Sequence, residues 1–446
     1  IGEYDGLMIR SGTQVTAPVI AAASRLKIIG RAGVGVDNVD VPAATQRGVL
    51  VVNSPEGNTI AAAEHALAMM LSLSRHVPQA NAGMRAGKWD RKKYVGNELY
   101  KKTLGVVGLG KIGSHVAKVA QAMGMDVTAY DPFIAADRAK QMQVKLIELD
   151  ELFRTADYVT LHIPRTKDTE NLVNADLLRT MKPTARIVNC ARGGVVDEAA
   201  ISEAINQGVI AGAGLDVYAN EPLAEDSPLR AVERGLVLTP HLGASTEEAQ
   251  ENVAIDVAEQ IRDVLLGLPA RSAVNIPGLS AEIMERLKPH LQLAETVGLL
   301  VSQLAGGHVK EMELRLQGEF ASHPSQPLVI AALKGLLSAA LGDSINFVNA
   351  SLEAKARGIT VLEVKDETSR DFAGGSLQIT TRGDQGDRCV TGAVFADGEL
   401  RITSIDEFPV NVSPSRHMLF TRHRDMPGII GHLGSMMGEH NVNIAS

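Results

Sequence analysis

The glycine-rich stretch GLGKIG at residues 108–113 constrains the fold of this chain more than any other feature. It follows the apolar run TLGVV, which is typical of a buried strand, and it opens a helical pattern that continues to about Met123. A second apolar run, DVTAY, ends immediately before Asp131, eighteen residues beyond Gly113. This order of strand, glycine turn, helix and strand predicts a dinucleotide-binding βαβ unit, because the helix N-terminus offers free N–H groups to a pyrophosphate.

Each glycine of the loop has its own expected role. Gly108 allows the tight turn, Gly110 lets a pyrophosphate approach the backbone, and Gly113 lets the helix pack closely on the strand. Asp131 is placed to accept hydrogen bonds from ribose hydroxyls, and its charge would repel a 2′-phosphate, so we expect NAD rather than NADP. The competing interpretation is structural: a glycine-rich turn followed by an aspartate that caps a strand.

Strand-like and helix-like segments alternate through roughly the first 240 residues, which predicts βαβ units around a parallel sheet. The short β-branched runs lie at residues 26–29, 49–52, 103–107, 126–130, 158–161, 187–188 and 236–238. Helical spacing of apolar residues predicts long helices over residues 61–74 and 247–266.

After Pro277 the pattern changes to that of a separate α+β module. It has helical stretches and strand-like runs, which lie near residues 284–304, 310–319, 326–341 and 375–381. Residues 410–414 are interpreted as a connector, and the segment that follows begins like a further βα unit.

Length, charge and cysteine content limit the class of protein. A chain of 446 residues is expected to form about three domains. The formal net charge of −8 argues against nucleic-acid or membrane partners, since both need a basic face. Cys190 and Cys389 have no metal-ligand spacing, so we expect no metal and a reducing compartment. No uninterrupted apolar run predicts a membrane span. A cytoplasmic location is expected; a targeting segment lost ahead of Ile1 is the alternative.

Further reactive side chains follow strand-like runs. Arg192 follows RIVN, Asp216 and Glu221 lie in GLDVYANEP, and His241 follows residues 236–238. In an open α/β sheet, ligands bind at the carboxyl ends of the strands, so we expect these groups to share one site. Taken singly, each has a structural explanation: a solvated loop charge, a turn or a surface histidine.

The chemistry of these groups suits the oxidation of a hydroxy acid. A base must take the hydroxyl proton as hydride leaves the adjacent carbon, and histidine suits this role because its unperturbed pKa is about 6.5. Glu221 would stabilise the imidazolium form of His241, and Arg192 would bind a substrate carboxylate through two N–H groups.

GLGKIG with Asp131, NCARGGVVDE, GLDVYANEP and TPHLGAST together resemble the D-isomer-specific 2-hydroxyacid dehydrogenase family. Three segments, RAGVGVDNVD, NSPEGNTIAAAEHALAMML and GKWDRKKYVG, are most similar to the long members that oxidise 3-phosphoglycerate with NAD to 3-phosphohydroxypyruvate, the first step of L-serine biosynthesis. The resemblance assigns substrate binding to Arg192, tuning of the histidine to Glu221 and proton transfer to His241.

The resemblance also implies a set of cofactor contacts. They fall on Val34, Gly108, Gly110, Lys111, Ile112, Gly113, Asp131, Ile163, Cys190, Ala191, Arg192, Asp216, His241, Gly243 and Ala244. Relatives often have threonine at the position of Val34, so any contact there must be through backbone or packing. Cys190 is interpreted as a small residue lining the cofactor site.

The implied architecture is a Rossmann-type doubly wound parallel sheet inserted in a second, flavodoxin-like α/β domain. The implied boundaries are 1–53 with 240–271 for the substrate domain (its N-terminal part missing), 54–239 for the NAD domain, 272–412 for an intervening α+β regulatory domain, and 413–446 for a truncated, ferredoxin-like ACT domain. A homo-oligomer, either a dimer or a tetramer, is expected.

Two groups of ligand-binding residues follow from the same resemblance. Arg10, Ser11, Arg31 and Arg91 are candidates for the substrate phosphate, although Arg91 also fits a solvated charge run. His423, Asp425 and Asn443 match the serine-binding positions of ACT domains, and a turn with a helix-capping aspartate is the alternative for the first two.

Two other functions use much of the same site. One is a glyoxylate or hydroxypyruvate reductase of the same family, which shares the Arg–Glu–His set. The other is an NAD-sensing, corepressor-like scaffold. The basic residues and the C-terminal modules favour the enzyme that acts on 3-phosphoglycerate.

Overall fold

The computed structural model describes residues 1–277, 281–368, 375–395, 398–421 and 426–442. They form two compact units, Ile1–Met284 and Glu285–Ser446, and each is described by itself. The finer division into four domains stays a prediction.

The first unit contains a small parallel sheet of order β1-β2-β3. Its strands are β1 (Gly6–Ile9), β2 (Ile28–Arg31) and β3 (Leu50–Asn53), connected by helices α1 (Ala17–Ala22) and α2 (Val41–Gln46). Ile9 pairs with Arg31 at the carboxyl ends of the first two strands, so the residues that follow β1 lie beside those that end β2.

A larger parallel sheet of seven strands has the order β10-β9-β8-β7-β4-β5-β6. The strands are β4 (Thr103–Val107), β5 (Asp126–Tyr130), β6 (Lys145–Leu146), β7 (Tyr158–Leu161), β8 (Arg186–Asn189), β9 (Gly212–Leu215) and β10 (Leu236–Leu238). The order reverses between β4 and β7, which is the topological switch point where doubly wound sheets bind ligands. The Rossmann-type fold is therefore confirmed.

Eight helices accompany this sheet and its return to the small one. They are α3 (Thr59–Arg75), α4 (Val77–Arg85), α5 (Lys111–Ala122), α6 (Ala136–Gln141), α7 (Leu149–Thr155), α8 (Ala175–Arg179), α9 (Glu198–Asn206) and α10 (Glu247–Leu265). Strands β7, β8 and β9 are buried on both faces, as expected for a parallel sheet covered by helices.

Helix α10 brings the chain back to the small sheet. Thr246 caps its N-terminus by accepting a hydrogen bond from Ala249 N at 3.1 Å. The absence of a side chain at Gly30 lets the helix approach β2, because a Cβ there would overlap Val257. Gln260 Nε2 donates to Asn53 O at 3.0 Å, which ties α10 to the end of β3.

The second unit has a six-stranded sheet of order β12-β11-β13-β14-β15-β16. Its elements are α11 (Ala281–Ala305), β11 (Val309–Gln317), α12 (Ser325–Leu341), α13 (Ala350–Ala356), β12 (Thr360–Asp366), β13 (Ser376–Gly383), β14 (Arg388–Val394), β15 (Leu400–Ile405), β16 (Phe408–Val412) and α14 (Ile429–Glu439). Leu293, Met312 and Leu336 belong to the core between helices and sheet, and the predicted α+β character is correct.

The interpretation of residues 410–414 as a connector is wrong for its first part. Residues 410–412 belong to β16, which pairs antiparallel with β15. Ile405 pairs with Phe408 across a two-residue turn, and Asp406 there has a φ of 50°. Such left-handed turns close hairpins, and the sequence lacks the glycine that usually marks them.

One segment, Ser325–Ser344, is long and apolar enough to cross a membrane by length and composition. Half of it is buried within the protein, and Lys334 within it forms an ion pair with Glu295 at 2.6 Å. The core helices of proteins make such contacts. The length and composition of this segment are therefore only weak evidence for a membrane span.

The proposed ACT segment contributes α14 to the described part of the chain. His423, Asp425 and Asn443 lie outside the described residues. The ACT fold and its serine site therefore stay predictions.

Candidate active site

The glycine loop has the geometry that a bound pyrophosphate requires. Gly108 has a φ of +91°, and Gly110 precedes α5 with no atom within 4 Å of a Cβ built on it. A Cβ on Gly113 would overlap Gly108 O, so only glycine lets the helix pack on the turn. The open space lies at Gly110, where the free N–H groups of α5 begin.

Asp131 lies against this loop. Its carboxylate accepts hydrogen bonds from Leu109 N at 2.8 Å and Phe133 N at 2.9 Å. Ile163 borders the same turn, because a Cβ on Gly108 would lie 2.8 Å from its Cγ2. These residues, together with the partly buried Ile112, fit the adenosine and pyrophosphate half of NAD.

Lys111 connects the loop to a distant segment. Its ammonium forms an ion pair with Glu56, and this hydrogen bond lowers the pKa of the Glu56 carboxyl. Val34 lies near that segment and accepts a hydrogen bond through its carbonyl from Asn53 Nδ2 at 2.6 Å. The carbonyl of Val34 is thus already hydrogen-bonded within the protein.

The loops after β8, β9 and β10 are neighbours. Asp216 N donates to Asn189 O at 2.9 Å, which joins the ends of β8 and β9. A Cβ on Gly193 would overlap Tyr218 O, so the loop of Arg192 rests directly on the backbone after β9. A Cβ on Gly243 would lie 3.7 Å from Cys190 O. The structure therefore brings Arg192, Glu221 and His241 to adjacent loops.

His241 and Glu221 form the central acid–base pair. His241 Nδ1 lies 2.7 Å from Glu221 Oε2, and Glu221 Oε1 accepts from Tyr218 N at 3.1 Å. A carboxylate accepts hydrogen bonds, so Nδ1 carries the proton and Nε2 is left to accept one. Half of the His241 side chain is exposed.

Arg192 is held in place by hydrogen bonds within its own loop. Its Nη1 donates to Ala191 O at 2.7 Å, and Asn189 Nδ2 donates to Arg192 O at 2.9 Å. The buried Asn189, which sequence reasoning missed, also accepts from Ala191 N at 3.1 Å. Asp37 Oδ2 lies 3.6 Å from Arg192 Nε.

Two further arginines reach the same region from the small sheet. Burial lowers the pKa of Arg31, and the neighbouring Arg192 and Arg10 guanidiniums lower it further while Asp37 opposes them. Arg31 Nε is buried without a hydrogen-bond partner among the described residues. Asn38 fixes the loop of Arg10 by donating to Arg10 O at 2.9 Å. Arg31 therefore lies within electrostatic range of two further guanidiniums and has an unused N–H donor, which is the chemistry that an anion requires.

Ser11 is exposed in the turn after Arg10. Arg91 begins an exposed 3-10 helix, Arg91–Tyr94, and it is not among the charged groups that shift the pKa of Arg31. Its assignment to the phosphate stays a prediction.

Asp216 is fully buried beneath this site. Its carboxylate accepts from Thr239 Oγ1 at 2.6 Å, Leu242 N at 2.7 Å and Gly243 N at 2.8 Å. Burial alone would raise the pKa of Asp216, but the hydrogen bonds, first that of His65, hold it below its ordinary value. Asp216 therefore stays ionised and fixes the backbone around His241.

Cys190 lines the same region as a protected thiol. Burial, with the nearby Asp216, strongly raises its pKa, so it stays protonated at neutral pH and is a poor nucleophile. Ala191 and Ala244 are small, partly buried residues in the loops after β8 and β10. Ligand atoms of His65, Cys190 and Asp216 lie within 4.8 Å of one another, but the donors already on Asp216 leave a metal little access.

Comparison with known proteins decides the family. Residues 67–243 match the model of the D-isomer specific 2-hydroxyacid dehydrogenase NAD binding domain, and residues 286–406 match the D-3-phosphoglycerate dehydrogenase intervening domain. The chain is 63% identical to a D-3-phosphoglycerate dehydrogenase of Synechocystis over all of its own length and 80% of that protein. It is 45% identical to that of Archaeoglobus fulgidus over 84% of that protein.

The chain belongs to the D-3-phosphoglycerate dehydrogenase family. It is an NAD-dependent oxidoreductase, and the predicted cofactor is confirmed.

Solved structures of related proteins support this family membership. The TT0316 protein of Thermus thermophilus aligns with a TM-score of 0.56 and 37% identity over 60% of this chain and 86% of its own. D-lactate dehydrogenase of Aquifex aeolicus, complexed with NAD and lactic acid, aligns with a TM-score of 0.55 and 29% identity over 60% and 84%. These structures cover a part of the chain about as long as its first unit.

Proposed function

We propose that this dehydrogenase oxidises 3-phospho-D-glycerate to 3-phosphohydroxypyruvate with NAD, in the first step of L-serine biosynthesis. The proposal is carried by the electrostatic proximity of Arg31 to Arg10 and Arg192, with Arg192 on the loop next to that of the His241–Glu221 pair. Three guanidiniums exceed what one carboxylate needs, but they suit a substrate that carries a carboxylate and a phosphate. The names of the relatives support the same substrate.

In the proposed reaction, Arg192 binds the substrate carboxylate, while Arg10 and Arg31 bind the phosphate. His241 Nε2 accepts the hydroxyl proton, and Glu221 stabilises the resulting imidazolium through Nδ1. NAD, when bound, supplies the acceptor of the hydride. Loss of the hydroxyl proton to His241 and of the hydride to the cofactor would leave the carbonyl of the product, and His241 would then release its proton to solvent.

The direct test is NADH formation with 3-phosphoglycerate, D-glycerate and D-lactate measured side by side. We expect the highest kcat/KM with 3-phosphoglycerate. Turnover of the unphosphorylated acids alone would favour the glyoxylate or hydroxypyruvate reductase. No turnover of any of the three, with NADH binding retained, would favour the NAD-sensing scaffold.

We also propose that the enzyme is a homo-oligomer, a dimer or a tetramer. Four large apolar side chains, Val77, Met84, Trp89 and Val95, are more than half exposed within one short stretch of the first unit. Large apolar side chains exposed on a single chain are the type that protein–protein interfaces bury. Light scattering of the wild type and of Trp89→Glu tests this, and a monomeric wild type would exclude it.

Serine as an effector is proposed on the resemblance of the C-terminal segment alone, and titration of the enzyme with serine tests it. A cytoplasmic location, with neither nucleic acid nor membrane as a partner, is proposed on the net charge and the two unpaired cysteines. Cell fractionation would test the location.

A further inference from the structure

His65 is a histidine of the first unit to which neither the proposed reaction nor the family motifs give a role. It lies on α3, and only 19% of its side chain is exposed. Its Nε2 lies 3.1 Å from Thr239 Oγ1 and 3.1 Å from Asp216 Oδ1. The imidazole therefore reaches from α3 to the base of the loop that carries His241.

The protonation of Nε2 follows from its two neighbours. The ionised Asp216 carboxylate can only accept hydrogen bonds, and Thr239 Oγ1 uses its single proton to donate to Asp216 at 2.6 Å. Both groups therefore present lone pairs to His65. Nε2 must carry a proton whether the ring is neutral or charged.

The loop of His241 depends on Asp216 along three consecutive residues. His241 N donates to Asp216 O at 2.8 Å, and the amides of Leu242 and Gly243 donate to its carboxylate. His241 itself has a φ of 55°, a left-handed conformation that costs energy for a residue with a Cβ. The hydrogen bonds to Asp216 hold that conformation in place.

We propose that His65 is a positioning residue for His241: its Nε2–H donates to the buried Asp216 carboxylate and orients it, and Asp216 in turn holds the backbone of residues 241–243. The proposal rests on the proposed function, since the base whose position it sets is His241. His65 touches neither reacting group in this assignment.

The surroundings of Asp216 support a dependence on His65. The groups that face the carboxylate are His65 from α3, Cys190 after β8, Tyr218 after β9, and Thr239, Leu242 and Gly243 after β10. His65 is the only side chain in this set that can bring a positive charge. The Cys190 thiol is protonated and uncharged at neutral pH, because burial raises its pKa.

The test compares His65→Gln with His65→Asn in the full chain. The glutamine amide places an N–H donor close to the position of Nε2, whereas the asparagine amide is one methylene shorter and falls short. Both substitutions leave a polar, uncharged side chain on α3, and the melting temperature reports the lower helix propensity of asparagine separately. Melting temperature and NADH affinity are measured for each.

We expect His65→Asn to lower kcat with 3-phosphoglycerate about tenfold or more, the loss that goes with one hydrogen bond to a charged group. The KM for the substrate should change little. The acid limb of kcat/KM against pH should move to higher pH, because Asp216 would take up a proton more readily. His65→Gln should recover most of the loss.

A second readout does not depend on activity. Hydrogen exchange followed by mass spectrometry should show faster exchange in a peptide spanning residues 237–245 of His65→Asn than in the wild type, and near-wild-type exchange in His65→Gln. Equal exchange and equal kcat in all three proteins would overturn the proposal. So would equal impairment of both variants at unchanged melting temperature, because the donor would then be irrelevant.

The proposed function and the proposed role of His65 can be refuted independently. If the wild type does not oxidise 3-phosphoglycerate, the proposed function fails, and the exchange of residues 237–245 still decides whether His65 supports the loop. If the wild type is active and His65→Asn matches it in kcat, pH profile and exchange, the role of His65 fails alone.

Discussion

The two parallel sheets of the first unit contribute to one site in different ways. The ends of β8, β9 and β10 carry a cation, a carboxylate and an imidazole, whose loops are joined by backbone hydrogen bonds and close packing. The ends of β1 and β2 carry Arg10 and Arg31, and these contribute only positive charge and N–H donors. The larger sheet can therefore perform acid–base chemistry on any 2-hydroxy acid, whereas the small sheet can only select among them by charge.

The largest effect should come from the larger sheet. His241→Ala removes the proton acceptor, so kcat should fall by about three orders of magnitude with every substrate that the enzyme turns over. NADH binding should be nearly unchanged, because the glycine loop and Asp131 are intact. Steady-state kinetics and NADH fluorescence titration measure the two effects. A kcat near that of the wild type would exclude His241 as the base.

A substitution in the small sheet should change the KM for one substrate rather than the kcat for all of them. Arg10→Glu replaces a donor with a repelling charge, so the KM for 3-phosphoglycerate should rise about tenfold to a hundredfold. With D-glycerate the KM should change little. Arg47→Glu, the same charge change at an exposed position that caps α2, is the matched control. If Arg10→Glu raised the KM for both acids equally, the small sheet would not be selecting the phosphate.

Asp216 tests whether the larger sheet needs a buried charge for its geometry. In Asp216→Asn, the amide N–H₂ replaces one carboxylate oxygen, so it would face either Leu242 N at the position of Oδ1 or Gly243 N at the position of Oδ2, and both of these amides are donors. The Tm at neutral pH should therefore fall by about 2–8 °C. The folded-state pKa of Asp216 is depressed, so its contribution is present above its ordinary value of 3.8 and is lost as pH falls further. The difference in Tm should thus narrow below pH 3.8, and a constant difference would contradict this.

Two glycines of the same loop allow NAD binding and protein stability to be tested separately. Gly113→Ala places a Cβ against Gly108 O, so the protein should lose stability. Gly110→Ala places a Cβ in open space, so its Tm should match that of the wild type while the KM for NAD rises about tenfold. Thermal scans and NAD titrations distinguish the two variants. An unchanged KM for NAD in Gly110→Ala would place the pyrophosphate elsewhere.

Much of the larger sheet was predictable from the sequence, since four strands agree with the predicted residues: 103–107, 126–130, 158–161 and 236–238. Strand β2 instead begins two residues later than predicted and extends to Arg31, because Arg31 pairs with Asn53 of β3. Strand β1 was missed because four residues near a chain end show no clear periodicity.

The residues of the site also divide into those that a local sequence motif predicts and those that it does not. Arg192, Glu221 and His241 lie in local motifs, so the sequence marked them. Asn38 and His65 were missed because their partners are remote: Asn38 binds Arg10 O, 28 residues away, and His65 binds Thr239, 174 residues away. Contacts between residues so far apart in sequence depend on the order of the strands in the sheet, and a local sequence pattern does not predict that order.

The smallest effect should come from Cys190, which lies in the larger sheet's half of the site but takes no part in its chemistry. Burial and the Asp216 charge raise the pKa of its thiol, so the reactive thiolate is scarce at neutral pH. Cys190→Ala should change kcat less than about threefold, and iodoacetamide should label Cys190 much more slowly than a free thiol. Labelling should speed up in Asp216→Asn, because the removal of that charge lets the thiol ionise more easily. Peptide mass spectrometry after timed labelling measures these rates. Rapid labelling of Cys190 in the wild type would show a thiolate, and the larger sheet would then hold a nucleophile in addition to its acid–base pair.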